Sequence, residues 1–217
     1  QGNCNSELQD AVHGLWNKCL WYRHMQNRFG QRRGNMKIRF QFERGEELKY
    51  IGHLDVMRLF ERAFKRAEIP VTHSRGFNPR PHIVFAQPMP LGLSSTGEFA
   101  DAELDEDYEP GVFIERLNSA LPAGIKVTDA KAVKSGKNIM AIVEAARYRI
   151  DFRTMRGLNI NDIFSEVLNR KNIIVLKKTK SGEKEFDIRP LIFELTGETD
   201  KETGYFNVLL GAGQEDN

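Results

Sequence analysis

Apolar and polar residues alternate through residues 37–43 (KIRFQFE), which puts Ile38, Phe40 and Phe42 on one face of a half-buried β-strand. Over residues 53–69 (HLDVMRLFERAFKRAEI) the period lengthens, and Val56, Phe60, Ala63, Phe64 and Ala67 form the buried stripe of an amphipathic helix stopped by Pro70. Residues 82–88 (HIVFAQP) and 97–105 (GEFADAELD) read as two more strands. In the second of them Phe99, Ala102 and Leu104 break strict alternation, as at a bulge. A second helix is predicted after Pro110 (residues 111–121), and a fourth strand over residues 125–133 follows the turn LPAG. Beyond the apolar segment IMAIVEAA (139–146), the pattern gives a strand at 146–152, a helix at 159–170, and strands at 172–178, 186–196 and 204–213.

The order β-α-β-β-α-β over residues 36–135 is the ferredoxin-like pattern, an antiparallel four-stranded sheet with two helices on one face. Residues 136–217 read as a partial second copy without its last helix and strand. The expected fold class is therefore α+β, with tandem ferredoxin-like units, antiparallel sheets and an incomplete second unit. Residues 1–35 differ from both. Leu8, Val12, Leu15, Trp16, Leu20 and Met25 recur at helical spacing before a basic tail, NRFGQRRGN, and Met36 looks like a domain start. This segment reads as a helical linker or extension, or else as a basic amphipathic helix that docks on a partner or RNA.

Composition narrows the class only modestly. With 217 residues, 40% of them hydrophobic, and 14 Phe, the chain can fill a core, and a net charge of +2 requires no polyanionic partner. The charge is unevenly distributed: residues 37–80 and 153–184 are mainly basic, and 98–115 strongly acidic. Cys4 and Cys19 match no CxxC spacing, so neither a disulfide framework nor a zinc motif is expected, and a reducing, cytoplasmic location is the default. No apolar run approaches the roughly 20 residues that span a bilayer, so no membrane association is expected.

The candidate chemistry lies in residues 73–95, HSRGFNPRPHIVFAQPMPLGLSS. Four prolines and Gly76 constrain a stretch that also carries His73, Arg75, Phe77, Asn78, Arg80 and His82. Arg58, Arg62 and Lys65 share the outer face of the preceding helix. Guanidinium groups can grip phosphates bidentately, amides around Gly76–Asn78 can form an anion-binding concavity, and Phe77 can stack on a base. The plainer alternative is that Phe77 staples the loop to the core while the arginines are solvated. A catalytic reading needs His53, Asp55, His73 and His82 to converge, a histidine serving as general base on a 2′-hydroxyl. Yet Asp55 suits the first turn of its helix and His53 can cap it. His73 and His82 lack the companions of a metal site, so no metal or other cofactor is expected. Met89, Leu91 and Leu93 offer an apolar docking surface, or else close the core.

The run from Lys37 to Leu104, with its signatures GHLD, MRLFERAF, SRGFNPRPHIVFAQPMPLG and STGEFADAEL, closely resembles the bacterial radical SAM-linked protein family. This domain of unknown function occurs alone or fused behind a radical SAM enzyme. The resemblance extends to about Gly211. It implies an accessory to modification chemistry, because the chain has no CxxxCxxC cluster motif of its own. The expected function is RNA binding or substrate presentation for a radical SAM enzyme, with no catalytic residue assigned. The alternatives are a module docking on that partner without touching RNA and, third, a metal-independent ribonuclease.

Overall fold

The computed structural model describes residues 36–133, 137–153, 159–179, 182–200 and 202–212. The reading of residues 1–35 lies outside them. Strand β1 (Met36–Arg44) is followed by helix α1 (His53–Arg66), β2 (Ile83–Phe85), β3 (Ser95–Leu104), α2 (Pro110–Ala120) and β4 (Ile125–Val133). The four strands form one antiparallel sheet in the order β2-β3-β1-β4.

Side-chain size explains how the helices close on this sheet. Phe40 stands between Ala100 on β3 and Ala130 on β4, and Ile38 between Ala102 and Ala132. Small residues on the flanking strands leave room above β1 for large helix side chains. Phe40 accordingly meets Phe60 and Phe64 of α1 and Phe113 of α2, with ring centroids 5.7, 6.2 and 5.5 Å away. The whole predicted stripe of α1 is buried. Two hydrogen bonds tie α2 to β4: the Asn118 amide donates to the Val127 carbonyl (2.9 Å) and accepts from the Val127 N–H (2.8 Å). Glu109 caps α2 by accepting from the N–H of Val112 (2.7 Å). The N–H groups of Gly111 and Val112 hold its carboxyl below the usual carboxylate range.

Several boundaries differ from the sequence expectation. The first helix ends at Arg66, because Glu68 adopts φ 54° and turns the chain, yet Ile69 is still buried beneath it. The second strand shrinks to three residues at a sheet edge. In β3 the core face carries Ala100, Ala102 and Leu104, whereas Phe99 lies on the opposite, solvent face. The register irregularity falls between Phe42 and Arg44 where β1 meets β3.

The second series comprises β5 (Ala145–Arg153), α3 (Ile160–Asn169), β6 (Ile174–Thr179), β7 (Gly182–Asp187), β8 (Ile192–Thr199) and β9 (Thr203–Gly211). These strands divide between a three-stranded sheet, β5-β9-β8, and a separate ribbon, β6-β7, all antiparallel. They do not form one sheet in the order of the first half. The expected single strand at 186–196 is broken: Ile188 turns to helical angles and Arg189–Leu191 make a short 3-10 turn around Pro190. Its front joins the ribbon and its rear becomes β8. The core here is small, with Ile160, Phe164 and Val208 buried and Phe206 packed between Phe152 (5.9 Å) and Phe164 (6.0 Å). The described residues thus form a mixed α/β chain with antiparallel sheets, three helices and nine strands. Among them, no helix is long and apolar enough to cross a membrane.

Candidate functional site

The end of α1 and the end of β3 together position residues 71–82. The Ile69 N–H bonds back to the Phe64 carbonyl (3.2 Å), so the chain leaves the helix at a fixed angle. Val71 bridges Leu104, and the Thr72 N–H donates to the Glu103 carbonyl (2.8 Å). From there two short legs run antiparallel. The Ser74 N–H donates to the Arg80 carbonyl and the His82 N–H to the Thr72 carbonyl, both at 2.8 Å, with His73 opposite Pro81. The Arg80 N–H is taken up by the Ser74 hydroxyl (3.0 Å). These bonds make an arm with ordered legs and a solvent-exposed tip, residues 75–79. Gly76 takes φ 156°, and nothing lies within 4 Å of where its Cβ would sit, so backbone conformation rather than space favours glycine.

Phe77 sits at this tip with 102% relative exposure, so it does not staple the loop to the core. Arg75 and Asn78 beside it are exposed too. Arg80 reaches back toward α1, its guanidinium 3.8 Å from the Glu61 carboxylate, which brings the arm beside the helix carrying the other cations. On that helix Arg58 pairs with Asp55 (3.2 Å), and the Arg62 Nε donates to the Arg58 carbonyl (3.1 Å).

The histidines do not gather. The hydrogen-bonded register places His73 and His82 on opposite faces of the arm. His73 Nδ1 lies 2.8 Å from the Val71 carbonyl, which can only accept, so that nitrogen carries the proton. His82 Nδ1 lies 3.0 Å from Glu103 Oε2, and Lys37 approaches the other oxygen of the same carboxylate at 3.7 Å. His53 packs edge-on against Phe85 (5.6 Å, 87°) at the start of α1. Burial lowers its pKa; the Glu98 carboxylate opposes that shift and the Arg44 cation adds to it. No hydrogen bond or ion pair joins His53, Asp55, His73 and His82 to one another. Among the described residues, no group of three or more His, Cys, Asp or Glu side chains could hold a metal ion.

Two features escaped the sequence reading. Arg44 is 2% exposed and donates to the carbonyls of Ile51 (3.2 Å), Pro90 (3.3 Å) and Leu93 (2.6 Å), pinning the loop that precedes β3. Its signal was parity, since it continues the core series Ile38, Phe40, Phe42. Arg39 and the buried Asp101 form a two-point ion pair (2.8 and 3.0 Å) on the sheet face away from the helices. Arg39 borders an open cleft of about 1740 Å³ between the two halves of the chain, whose lining mixes Lys126, Lys131 and Arg147 with Glu43, Glu98 and Asp151.

Residues 37–217 match the model of a family described as uncharacterized protein conserved in bacteria, DUF2344. The chain belongs to this family. The DUF2344 match covers both halves of the fold and includes the arm, α1 and the Arg44-pinned loop. The family description states no activity, substrate or partner, and no curated protein matches the chain.

Proposed function

We propose that this DUF2344 protein is a binding module without chemistry of its own, whose arm at residues 72–82 holds RNA in the service of a radical SAM modification enzyme. The observation that carries this reading is Phe77, a ring held wholly in solvent by hydrogen-bonded legs and flanked by Arg75, Asn78 and Arg80. Exposed in this way, the ring packs against none of the described residues. It offers a stacking platform worth about 1–3 kcal/mol per base, while arginines beside it take phosphate. A ferredoxin-like reading of the first half, whose order β-α-β-β-α-β recurs among RNA-processing proteins, belongs to the same proposal by analogy.

The open face of the four-stranded sheet is a poorer candidate. There Lys37, Arg39 and Gln41 of β1 face Glu103, Asp101 and Phe99 of β3, so the cations at the centre are already paired with carboxylates and the face holds one ring. A sheet that stacks two or three bases needs more. The ribonuclease reading gains nothing from the scattered histidines.

The test is binding of total cellular RNA at increasing salt. Arg75→Ala/Arg80→Ala is expected to weaken binding about tenfold and to flatten the slope of log affinity against log salt by about 1.4, as for two lost single-strand phosphate contacts. No binding at low salt, or binding indifferent to the double substitution, overturns the proposal. A second reading, docking on a radical SAM partner without RNA contact, is favoured by the exposure of Tyr50, Leu54 and Leu91. Tyr50 and Leu91 lie on neighbouring loops joined by the Gly92 N–H to Lys49 carbonyl bond (2.7 Å). Co-purification with a radical SAM protein that survives nuclease treatment would select that reading.

A further inference from the structure

We infer that the ribbon β6-β7 is a second contact for the RNA backbone, with Lys177 and Lys184 as a phosphate-gripping pair on one of its faces. The inference rests on the RNA reading and extends it to a site in the second half of the chain.

The ribbon stands alone. Among the described residues its strands pair only with each other, and every residue of β6 is exposed. An isolated two-stranded ribbon is marginal in water, so its shape depends on its base. There the Asp187 carboxylate accepts from the N–H of Ile173 (2.8 Å), the Asn172 amide (2.7 Å) and the N–H of Arg189 (3.0 Å). These donors hold its carboxyl below the usual range. At the far end the Thr179 hydroxyl donates to the Gly182 carbonyl (2.7 Å).

The register fixed by these anchors sorts charge by face. Lys177 stands directly opposite Lys184. Like charges so placed repel, and neither lysine has a carboxylate partner among the described residues; the Lys177 ammonium instead lies 5.5 Å from the Phe186 ring centre. Val175 and Phe186 share their face. All three carboxylates of β7, Glu183, Glu185 and Asp187, fall on the other face, where Lys178 stands opposite Glu183. A one-residue slip would set Lys177 opposite a glutamate and relieve the repulsion, yet the anchors at both ends forbid it. Two adjacent ammonium groups without an acid, next to apolar surface, suit a phosphodiester chain, whose charge removes the repulsion and whose sugars can lie on Val175 and Phe186.

The experiment uses the full chain and a labelled oligouridine in a salt titration. Lys177→Gln/Lys184→Gln is expected to lose about tenfold in affinity and to flatten the salt slope by about 1.4, whereas Lys178→Gln on the opposite face changes neither. Thermal unfolding should be unchanged or later in the double variant, because a repulsive pair is gone. Three results overturn this inference alone: Lys178→Gln weakening binding as much as the pair does, which means diffuse attraction; the double variant unfolding earlier, which means a structural pair; or binding unchanged in the double variant. If Arg75→Ala/Arg80→Ala still weakens binding, the RNA reading survives that failure. If the wild type binds no RNA, both fall.

Discussion

Phe40→Ala is expected to lower the free energy of unfolding by about 3–5 kcal/mol, measured by denaturant titration. The ring is fully buried at the centre of the four-stranded sheet and touches Phe42, Phe60, Phe64 and Phe113, so its removal opens a space walled by three different elements. Those walls cannot collapse together. Ala100 and Ala130 flank Phe40 on the neighbouring strands and have no side chain to swing into the gap. Because whole domains are stable by only about 5–15 kcal/mol, this one change should bring the first half of the chain near unfolding at physiological temperature. Phe99→Ala is the control. Its ring lies on the solvent face of β3, and the expected change is within about 0.5 kcal/mol. Similar losses from both substitutions would contradict the assignment of the two sheet faces.

The contrast between Phe40 and Phe99 also shows where the sequence is legible. Around β1 and α1 the periods of two and of about 3.6 are both clean, and Ile38, Phe40, Phe42 and the stripe from Val56 to Ala67 lie where periodicity puts them. On the core face of β3 two of the three buried positions are alanines, so the weak apolar signal of Ala100 and Ala102 was outweighed by a large ring pointing the other way. Arg44 continues the parity of the core, and composition alone does not say whether a charged residue at such a position is an exception or the end of the strand. Residues 186–196 carry enough apolar residues for one strand, but Pro190 cannot donate to a ladder and the chain breaks there. At the arm, glycine and the prolines announce constraint. The contacts of Arg80 with Glu61 and of His82 with Glu103 span distant parts of the chain and depend on strand register, which no local pattern encodes. The lysine pair of the ribbon is hidden for the same reason: Lys177 and Lys184 become neighbours only once the hairpin register is known.

Arg44→Met is expected to destabilise the protein by about 3 kcal/mol and to loosen the loop between Pro88 and Ser95. The guanidinium supplies charged donors to three carbonyls from two loops, and each such bond contributes about 1.5–3 kcal/mol. The full sum is not realised. Burial pushes the Arg44 pKa down despite the nearby Glu98 carboxylate, and its Nε has no hydrogen-bond partner among the described residues, so the wild type already carries a desolvation penalty that methionine removes. The local consequence should therefore exceed the global one. With its anchor lost, the Gly92 N–H, which bonds to the Lys49 carbonyl, should exchange with solvent faster than core amides do. Arg44→Lys should recover less than half of the loss, because an ammonium on a flexible stem cannot serve carbonyls arranged around a planar fork. The loop carries Leu91 to the surface, so the same substitution distinguishes the two binding readings. It should weaken docking on a protein partner through this loop, while leaving RNA held by the arm at residues 72–82, whose bonds run to β3 and within its own legs. A methionine variant as stable as the wild type, with unchanged exchange at Gly92, would show that Arg44 does not hold the loop.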